Sequence, residues 1–306
     1  MKKIFNLPFL VAHLLLLILI VTVLQQGQKA VQPNTAFLVG IGLIELLYLY
    51  KLWRARSKEK SLKAPSDIVV LVWIFLLIWE ITVTQLNIMH PVLVPAPEDV
   101  FHVFPTQYRT LLEGVVSSLQ LLLIGFFLGL SFGVILGLPV GWIPRLRDVC
   151  FPIANVLAPI PPVVFAPYLI AIMPTFRSAS ALVILLGIFW PTLLGMIIRV
   201  GSIDRRILES ARVLNVDNRT MVLKILFPYV LPGVVSGLKV SLTTSVIMLT
   251  FAEMMGATKG MGFYIINYTH YANYTNVVAG FIVVGVVVTF LNWVVGIVQT
   301  KAIKWQ

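Results

Sequence analysis

The 306-residue chain is 59% apolar and only 11% charged, and its formal net charge is +11 at pH 7. A soluble domain carries about 25% charged residues, so this composition excludes a soluble globular protein. The lysines and arginines lie between long apolar stretches, which fits membrane topology and not a nucleic-acid-binding face. The single cysteine excludes an intrachain disulfide, and the four scattered histidines offer no metal-ligand spacing. We therefore expect a membrane protein that binds no nucleic acid and no metal ion.

The apolar runs predict an all-α integral membrane protein with about eight transmembrane helices. A run of about 20 apolar residues is long enough to cross the hydrocarbon core of a bilayer as a helix. The first run follows two lysines, as in a signal peptide, but no small-residue cleavage site comes after it, so we expect an uncleaved helix. The predicted spans are residues 8–24, 36–53, 67–86, 114–140, 149–172, 178–199, 229–255 and 276–298.

The basic residues predict the orientation of these spans. With a cytoplasmic N-terminus, 18 of the 23 lysines and arginines fall on the cytoplasmic side, 4 fall outside, and Lys239 lies within a predicted span. Cytoplasmic loops of membrane proteins are enriched in these residues, so we predict that both termini are cytoplasmic. The four outer residues are Lys29, Arg109, Arg177 and Lys259.

A basic loop divides the predicted spans into two groups. Between Lys51 and Lys63 the sequence has six basic residues and one acid. We interpret this loop as a topology signal that also contacts lipid head groups. The predicted division is an N-terminal transmembrane hairpin over residues 1–53, a basic cytoplasmic linker over 54–66 and a six-helix core over 67–306.

The longest predicted cytoplasmic segment, residues 200–228, has a helical pattern. Apolar residues recur in it at spacings of four, four and three, which predicts one face of a short helix. Asn215 is suited to a left-handed C-terminal cap, and Asp217 can cap the N-terminus of a second short helix. Pro228 then marks a break. The residues of the predicted apolar face are Ile203, Ile207, Ala211 and Leu214.

This segment resembles the EAA loop of ABC-importer permeases, which has Glu-Ala-Ala, then three residues, Gly, nine residues, Ile, one residue and Leu-Pro. Three positions depart from that pattern, and each change is mild, because serine is small, asparagine tolerates the turn and phenylalanine is apolar. The matching residues are Glu209, Ser210, Ala211, Asn215, Ile225, Phe227 and Pro228.

In that family the loop forms a coupling helix that docks into a groove of the ATPase subunit. The resemblance implies the same role here and a six-helix permease core of type I. The implied ATPase-coupling residues are Glu209, Ser210, Ala211, Arg212, Leu214, Asn215, Ile225 and Pro228.

Further stretches resemble the nitrate, sulfonate and taurine branch of these permeases. The resemblance extends over about residues 67–300 and leaves the N-terminal hairpin outside. The matching stretches are Trp79–Glu80 and residues 93–100, 159–162, 252–257 and 260–262.

The resemblance implies a multi-pass permease of the bacterial inner membrane that moves a small solute inward by alternating access. A sulfonate, nitrate or similar anion is implied, although relatives also carry neutral or heterocyclic compounds. The implied assembly is a permease homodimer, two ATPase subunits, and a periplasmic or lipid-anchored solute-binding protein. The chain has no Gly-Lys dipeptide and hence no Walker A loop. We therefore expect no enzyme activity and no bound cofactor, with ATP and Mg²⁺ used by the partner ATPase.

Several residues are candidates for the translocation pathway, each with an alternative role. The prolines interrupt an apolar run. They predict either a broken helix that lines a pathway or a simple kink in one helix. The acid fixes the glycine-rich loop that follows it or contacts the solute, and the threonines bond across the bundle or line a cavity. The candidates are Pro159, Pro161, Pro162, Glu253, Thr243 and Thr244.

Five glycines at four-residue intervals, Gly125, Gly129, Gly133, Gly137 and Gly141, form a stripe on the fourth predicted span. Four helical residues turn the chain by about 400°, so the stripe drifts by only about 40° per repeat. It offers a shallow groove for close helix packing or a path for the solute.

Two other classes of function find little support in the sequence. An intramembrane enzyme would need clustered catalytic groups, and the sequence has no His-Glu-x-x-His motif and no paired histidines within its predicted spans. A secondary transporter or channel would show inverted repeats or charge pairs within its spans, and neither is evident.

Overall fold

The computed structural model describes residues 7–57 and 63–302, and all regular elements in these ranges are helices. Seven described helices are long and apolar enough to cross a membrane, and a bent pair can form an eighth span. The predicted all-α membrane protein is thus confirmed. The helices are α1 (Leu7–Leu24), α2 (Thr35–Ser57), α3 (Lys63–Glu80), α4 (Pro97–Thr106), α5 (Tyr108–Trp142), α6 (Pro144–Leu157), α7 (Ala166–Ile172), α8 (Phe176–Gly201), α9 (Arg205–Val213), α10 (Asn218–Thr220), α11 (Phe227–Gly256), α12 (Met261–His270) and α13 (Tyr274–Ala302).

The chain folds into two compact units. Unit 1 comprises residues 1–111 and 267–281, and unit 2 comprises residues 112–266 and 282–306. The predicted hairpin α1–α2 lies within unit 1, where it packs on α3 and α4. Part of the predicted basic linker is helical, because α2 continues to Ser57 and α3 begins at Lys63.

The core of unit 1 joins the hairpin to α3 through apolar side chains. Leu19 of α1, Phe37 of α2 and Trp73 of α3 are fully buried against one another's helices. Burial of a large apolar side chain is worth about 1.5–3 kcal/mol, so this cluster holds the hairpin firmly to the rest of the unit. A buried hydrogen bond of 3.0 Å between Tyr48 Oη and Ser66 Oγ adds a polar link between α2 and α3.

Backbone groups at the C-terminal end of α1 are bonded by the end of α3. The last turn of α3 widens into a π-helix over Ile81–Gln85. Gln85 Nε2 donates to the carbonyl oxygen of Thr22 at 2.8 Å, and the amide of Gln28 donates to the carbonyl oxygen of Gln85 at 3.3 Å. Asn34 Nδ2 donates to the carbonyl oxygen of Val23. The carbonyls that a helix end leaves open are therefore satisfied by side chains.

In unit 2 the glycine stripe packs against α8. A Cβ atom at each of the five glycines would lie within 2.8 Å of an α8 atom, for example 2.6 Å from Ile184 Cβ at Gly125 and 2.6 Å from Met196 Cβ at Gly137. Real Cβ contacts are essentially never shorter than 3.0 Å, so only glycine permits this approach. Helix packing, one of the two predicted roles of the stripe, is confirmed.

The predicted span over residues 149–172 is a bent pair of helices and not one straight helix, because the chain turns by 79° between Leu157 and Pro162. Helix α6 ends at Leu157, a 3₁₀-helix follows over Pro162–Phe165, and α7 begins at Ala166. Proline lacks a backbone N–H and disfavours helical geometry in the residue before it. The prolines at 159, 161 and 162 thus stop α6 and delay the start of α7.

Candidate functional site

The predicted coupling segment contains helix α9 and a left-handed turn after it. Asp204 Oδ1 accepts a hydrogen bond of 2.9 Å from the amide of Arg206 at the start of α9. The segment leaves the helix at Asn215, whose φ of 51° lies in the left-handed region. Asparagine tolerates this conformation, as the sequence predicts.

Helix α9 turns one face to the interior of unit 2. Ile203 and Ala211 are buried in a core cluster with Met196, Met221 and Leu226, and Ala211 is only 3% exposed. The sequence predicted one apolar face made of Ile203, Ile207, Ala211 and Leu214. In the structure this face is divided, because Ile203 and Ala211 are buried and the other two are exposed. The helical period identifies one face of a helix but does not say which neighbour covers it.

Apolar side chains at the C-terminal end of α9 and just after it are exposed. Val213 is 82% exposed and Leu214 is 75% exposed, while Ile207 is 37% exposed. Glu209 and Ser210 are exposed beside them. An apolar patch with a polar margin outside the membrane spans is typical of a protein-binding surface.

The end of the predicted coupling segment leads directly into α11. Asp217 Oδ2 accepts hydrogen bonds from the amides of Arg219 (3.1 Å) and Thr220 (3.2 Å). The hydrogen bond from the side chain of Thr220, and secondarily those from the two amides, hold the pKa of its carboxyl below the usual range. This capping role is confirmed. A π-helix follows over Met221–Leu226 and runs without interruption into α11.

The predicted break at Pro228 is wrong. In the π-helix the amide of Phe227 bonds to the carbonyl oxygen of Val222, five residues back. This wider turn lets the helix continue past a residue that has no donor of its own. Ile225 is half-buried and Pro228 is exposed, whereas the side chain of Arg212 lies outside the described part of the structure.

Glu253 binds the glycine-rich loop that follows α11. Its Oε1 accepts a hydrogen bond of 2.6 Å from Ser118 Oγ, and its Oε2 accepts one of 2.9 Å from the amide of Gly262. Ser118 Oγ accepts in turn from the amide of Met261 at 2.8 Å. The carboxyl group is fully buried, so this arrangement fits the loop-fixing role and leaves no room for a solute.

The other pathway candidates lie in different surroundings. Pro162 is buried against Gly187 of α8, whereas Pro159 and Pro161 are exposed. Thr244 is exposed and donates to the carbonyl oxygen of Val240 on its own helix. Among these candidates in unit 2, Pro162 is therefore buried, whereas Pro159, Pro161 and Thr244 are exposed.

Thr243 belongs to a polar strip between α11 and α13, which we call the polar seam. Asn292 Nδ2 donates to Thr243 Oγ1 at 3.0 Å, and Gln299 Nε2 donates to the carbonyl oxygen of Val235 at 2.8 Å. Lys239 lies between these two bonds. The sequence analysis overlooked Asn292 and Gln299, although their spacing of seven residues on an apolar span places them on one helical face.

The structure also brings together the carboxyls of Glu80 and Glu98 in unit 1, a pairing that the sequence did not predict. Both are buried, and Thr84 Oγ1 donates to Glu98 Oε2 at 3.0 Å. Burial, and secondarily the neighbouring Glu80, raises the pKa of Glu98 to about 7. Two adjacent acids cannot both be ionised at low cost in a buried site.

The sequence matches a known transport family. Residues 129–304 match the family described as binding-protein-dependent transport system inner membrane component. The matched range is more than half of the chain.

Curated relatives extend the match towards the N-terminus. The taurine transport system permease protein TauC of Escherichia coli K12 is 24% identical over 240 residues, which cover 76% of this chain and 87% of the relative. The putative aliphatic sulfonates transport permease protein SsuC of Bacillus subtilis is 25% identical and covers 81% of this chain and 87% of its own length. The nitrate import permease protein NrtB of Leptolyngbya laminosa is 28% identical over 189 residues, which cover 62% of this chain and 68% of the relative.

A solved structure shares the fold. A chain of the MetNI methionine ABC transporter, in an inward-facing conformation, superposes with a TM-score of 0.52 over 64% of this chain and 97% of its own. The sequences are 21% identical over this match. This likeness confirms the predicted fold class.

Proposed function

Because the chain belongs to the family of inner-membrane components of binding-protein-dependent transport systems, we propose that it carries a small oxyanion, a sulfonate or nitrate, into the cell. The chain is a permease subunit of an ABC importer, whose ATPase and solute-binding protein are separate partners. Relatives named for taurine, aliphatic sulfonates and nitrate support the oxyanion. Family membership favours transport over an intramembrane enzyme or a secondary transporter.

The proposed assembly has two identical permeases, two ATPase subunits, and one external solute-binding protein that is periplasmic or lipid-anchored. Each permease is a multi-pass protein of the bacterial inner membrane with both termini in the cytoplasm. Its sequence has no Walker A loop, so ATP and Mg²⁺ act in the partner ATPase and not in this chain. The described apolar faces of the spans are in contact with membrane lipid or with the second permease.

The exposed pair Val213 and Leu214 carries the proposal that α9 docks on the ATPase. Two large apolar side chains, 82% and 75% exposed, stand at the end of a short helix outside the membrane spans. Water exposure of such side chains is unfavourable, and their burial in a partner groove supplies binding energy. Ala211 is not part of this surface, because it packs inside unit 2.

The variant Leu214→Arg tests this docking. It places a charged side chain at a position that the proposed complex with the ATPase would bury. An unpaired charge in an interface costs on the order of 2–5 kcal/mol. We expect the variant to insert and remain folded, to lose the ATPase on co-purification, and to lose ATP-driven uptake.

Tyr271→Arg is the matched control, because Tyr271 is equally exposed (75%) but lies in unit 1. It should keep the ATPase. A Leu214→Arg protein that co-purifies with a full complement of ATPase would exclude α9 as the docking helix. Uptake of radiolabelled taurine or nitrate by the wild-type assembly tests the solute class separately.

A further inference from the structure

The polar seam brings polar groups from α11 and α13 together inside an otherwise apolar pair of spans. The two helices are antiparallel, and polar groups meet at three successive positions along them. At the first, Gln299 donates to the carbonyls of Val235 and Ser236. At the second, Lys239 lies beside Gly296, and at the third Thr243 pairs with Asn292. Each position is about one helical turn from the next. The seam is thus continuous over about three turns.

Lys239 has room to lie along α13 because position 296 is a glycine. A Cβ atom at Gly296 would lie 3.3 Å from Lys239 Nζ and 3.4 Å from its Cε, a separation tighter than nine in ten real contacts. The ammonium group therefore lies in the groove between the two helices. Gly296 is six residues before the end of α13 at Ala302, which corresponds to about 9 Å along the helix.

This ammonium group is an isolated charge within a span. Lys239 is exposed on the surface of unit 2, and no carboxylate among the described residues pairs with it. Between Phe227 and Ala252 it is the only charged residue of α11. A charged side chain within a membrane span is costly in contact with lipid and faces a water-filled cavity or an anionic partner.

We propose that Lys239 is an anion-binding group on a water-accessible surface of the translocation pathway, with the hydroxyl and amide of the Thr243–Asn292 pair one turn away. This inference rests on the proposed transport of an oxyanion. The ammonium group attracts the negative charge of a sulfonate or nitrate, and the neighbouring polar side chains hydrogen-bond its oxygens. Because lysine is a compact point charge on a flexible stem, it holds an anion without fixing one geometry and releases it readily.

The single native cysteine permits a direct test by charge-selective labelling. In a Cys150→Ser background, Ser236→Cys places a thiol on the exposed face of α11, three residues from Lys239 and on the same side of the helix. The rate of labelling is measured with a methanethiosulfonate that carries a sulfonate and with one that carries a trimethylammonium group. Both reagents react with the thiolate, so the ratio of their rates is independent of the thiol pKa.

In the protein that retains Lys239 we expect the anionic reagent to react faster than the cationic one. The ratio of the anionic to the cationic rate should fall by roughly tenfold in Lys239→Met, because a unit charge acts across a short distance near a protein surface. Lys239→Arg should keep the ratio. Lys301→Met, which removes an exposed charge from the last turn of α13, is the matched control and should also keep it.

Two results would overturn the inference. A ratio that is the same in Lys239→Met and wild type means that Lys239 does not attract anions at the seam. A thiol at position 236 that reacts with neither reagent means that the seam faces lipid, where Lys239 would serve a lipid phosphate instead of a solute. The labelling uses no transported solute, so wild-type protein that takes up neither taurine nor nitrate would contradict the proposed solute class without affecting this result.

Discussion

Glu98 is a carboxyl group that folding removes almost completely from water. It lies at the start of α4 beside Glu80, and its pKa is raised to about 7 chiefly by burial. The folded chain therefore holds a proton that the unfolded chain releases near the ordinary value of 4.5. This difference stabilises the fold below about pH 4.5, and the contribution is lost as the pH rises through about 7.

The variant Glu98→Gln should remove this pH dependence. Glutamine resembles the protonated acid, since its amide donates a hydrogen bond and its oxygen still accepts from Thr84 Oγ1. We expect its melting temperature in detergent to equal that of the wild type near pH 4.5 and to exceed it increasingly up to pH 8. The corresponding gain in the free energy of unfolding is at most about 3 kcal/mol. Glu113→Gln, at an exposed acid, should show no such trend. A constant difference between the two proteins across this range would contradict the prediction.

The contacts of Glu253 in the structure support one of the two roles that the sequence left open, the fixing of the glycine-rich loop. The sequence left open a solute contact and a loop-fixing role, because a lone acid in a span indicates function without naming its partner. Its partners, Ser118 and Gly262, lie 135 and 9 residues away, and only the folded chain brings both within hydrogen-bonding distance.

Removing this carboxyl should destabilise unit 2. Glu253→Ala leaves Ser118 Oγ and the amide of Gly262 buried without their acceptor, which costs on the order of 2–4 kcal/mol. Thermal unfolding of the purified protein should show a clear decrease in melting temperature. Glu113→Ala, whose side chain is 67% exposed, should change the stability by less than about 0.5 kcal/mol. Equal melting temperatures for both variants would show that the buried network contributes nothing.

At the scale of elements, the glycine stripe was predictable because its four-residue period is a property of the sequence alone. The π-helix over Met221–Leu226 was not, since no residue pattern identifies a turn that bonds five residues back. The same limit applies to α9, where the period gave a helix but the packing of Ile203 and Ala211 depended on distant core residues. Long apolar spans and helix caps are encoded by local sequence. The burial of a helix face, and the continuation of one helix into the next, depend on tertiary contacts.

The close packing of α5 on α8 gives a prediction for Gly129. A Cβ atom there would lie 2.6 Å from the carbonyl oxygen of Leu185, a backbone atom that cannot rotate away. Gly129→Ala should separate the helices and reduce stability by about 1–3 kcal/mol, measured by thermal unfolding in detergent.

Gly285→Ala is the matched control, because nothing lies within 4 Å of a Cβ at that position. It should leave stability unchanged or raise it slightly, since alanine favours a helix over glycine. If both glycine variants lose the same stability, close packing is not the reason for the stripe.

For the whole molecule, the charge distribution predicts the orientation in the membrane. A cysteine at Gln28, in the Cys150→Ser background, should react with a membrane-impermeant thiol reagent added to intact cells. A cysteine at Ser61, which lies outside the described residues, should react only after the cells are opened. The 18 to 4 division of basic residues supports this orientation, and the reverse labelling pattern would invert the proposed topology.

The unbroken passage from the predicted coupling segment into α11 has a mechanical consequence. Residues Asn218–Gly256 form a continuous helix of 39 residues, which is about 58 Å long at 1.5 Å per residue. One end follows α9, the proposed docking helix, and the other end carries Glu253, which accepts a hydrogen bond from Gly262 of the glycine-rich loop. A rotation of about 5° at one end of such a lever displaces the other by about 5 Å. A hinge at Pro228 would absorb such a displacement, whereas the continuous helix would transmit it to the end of α11.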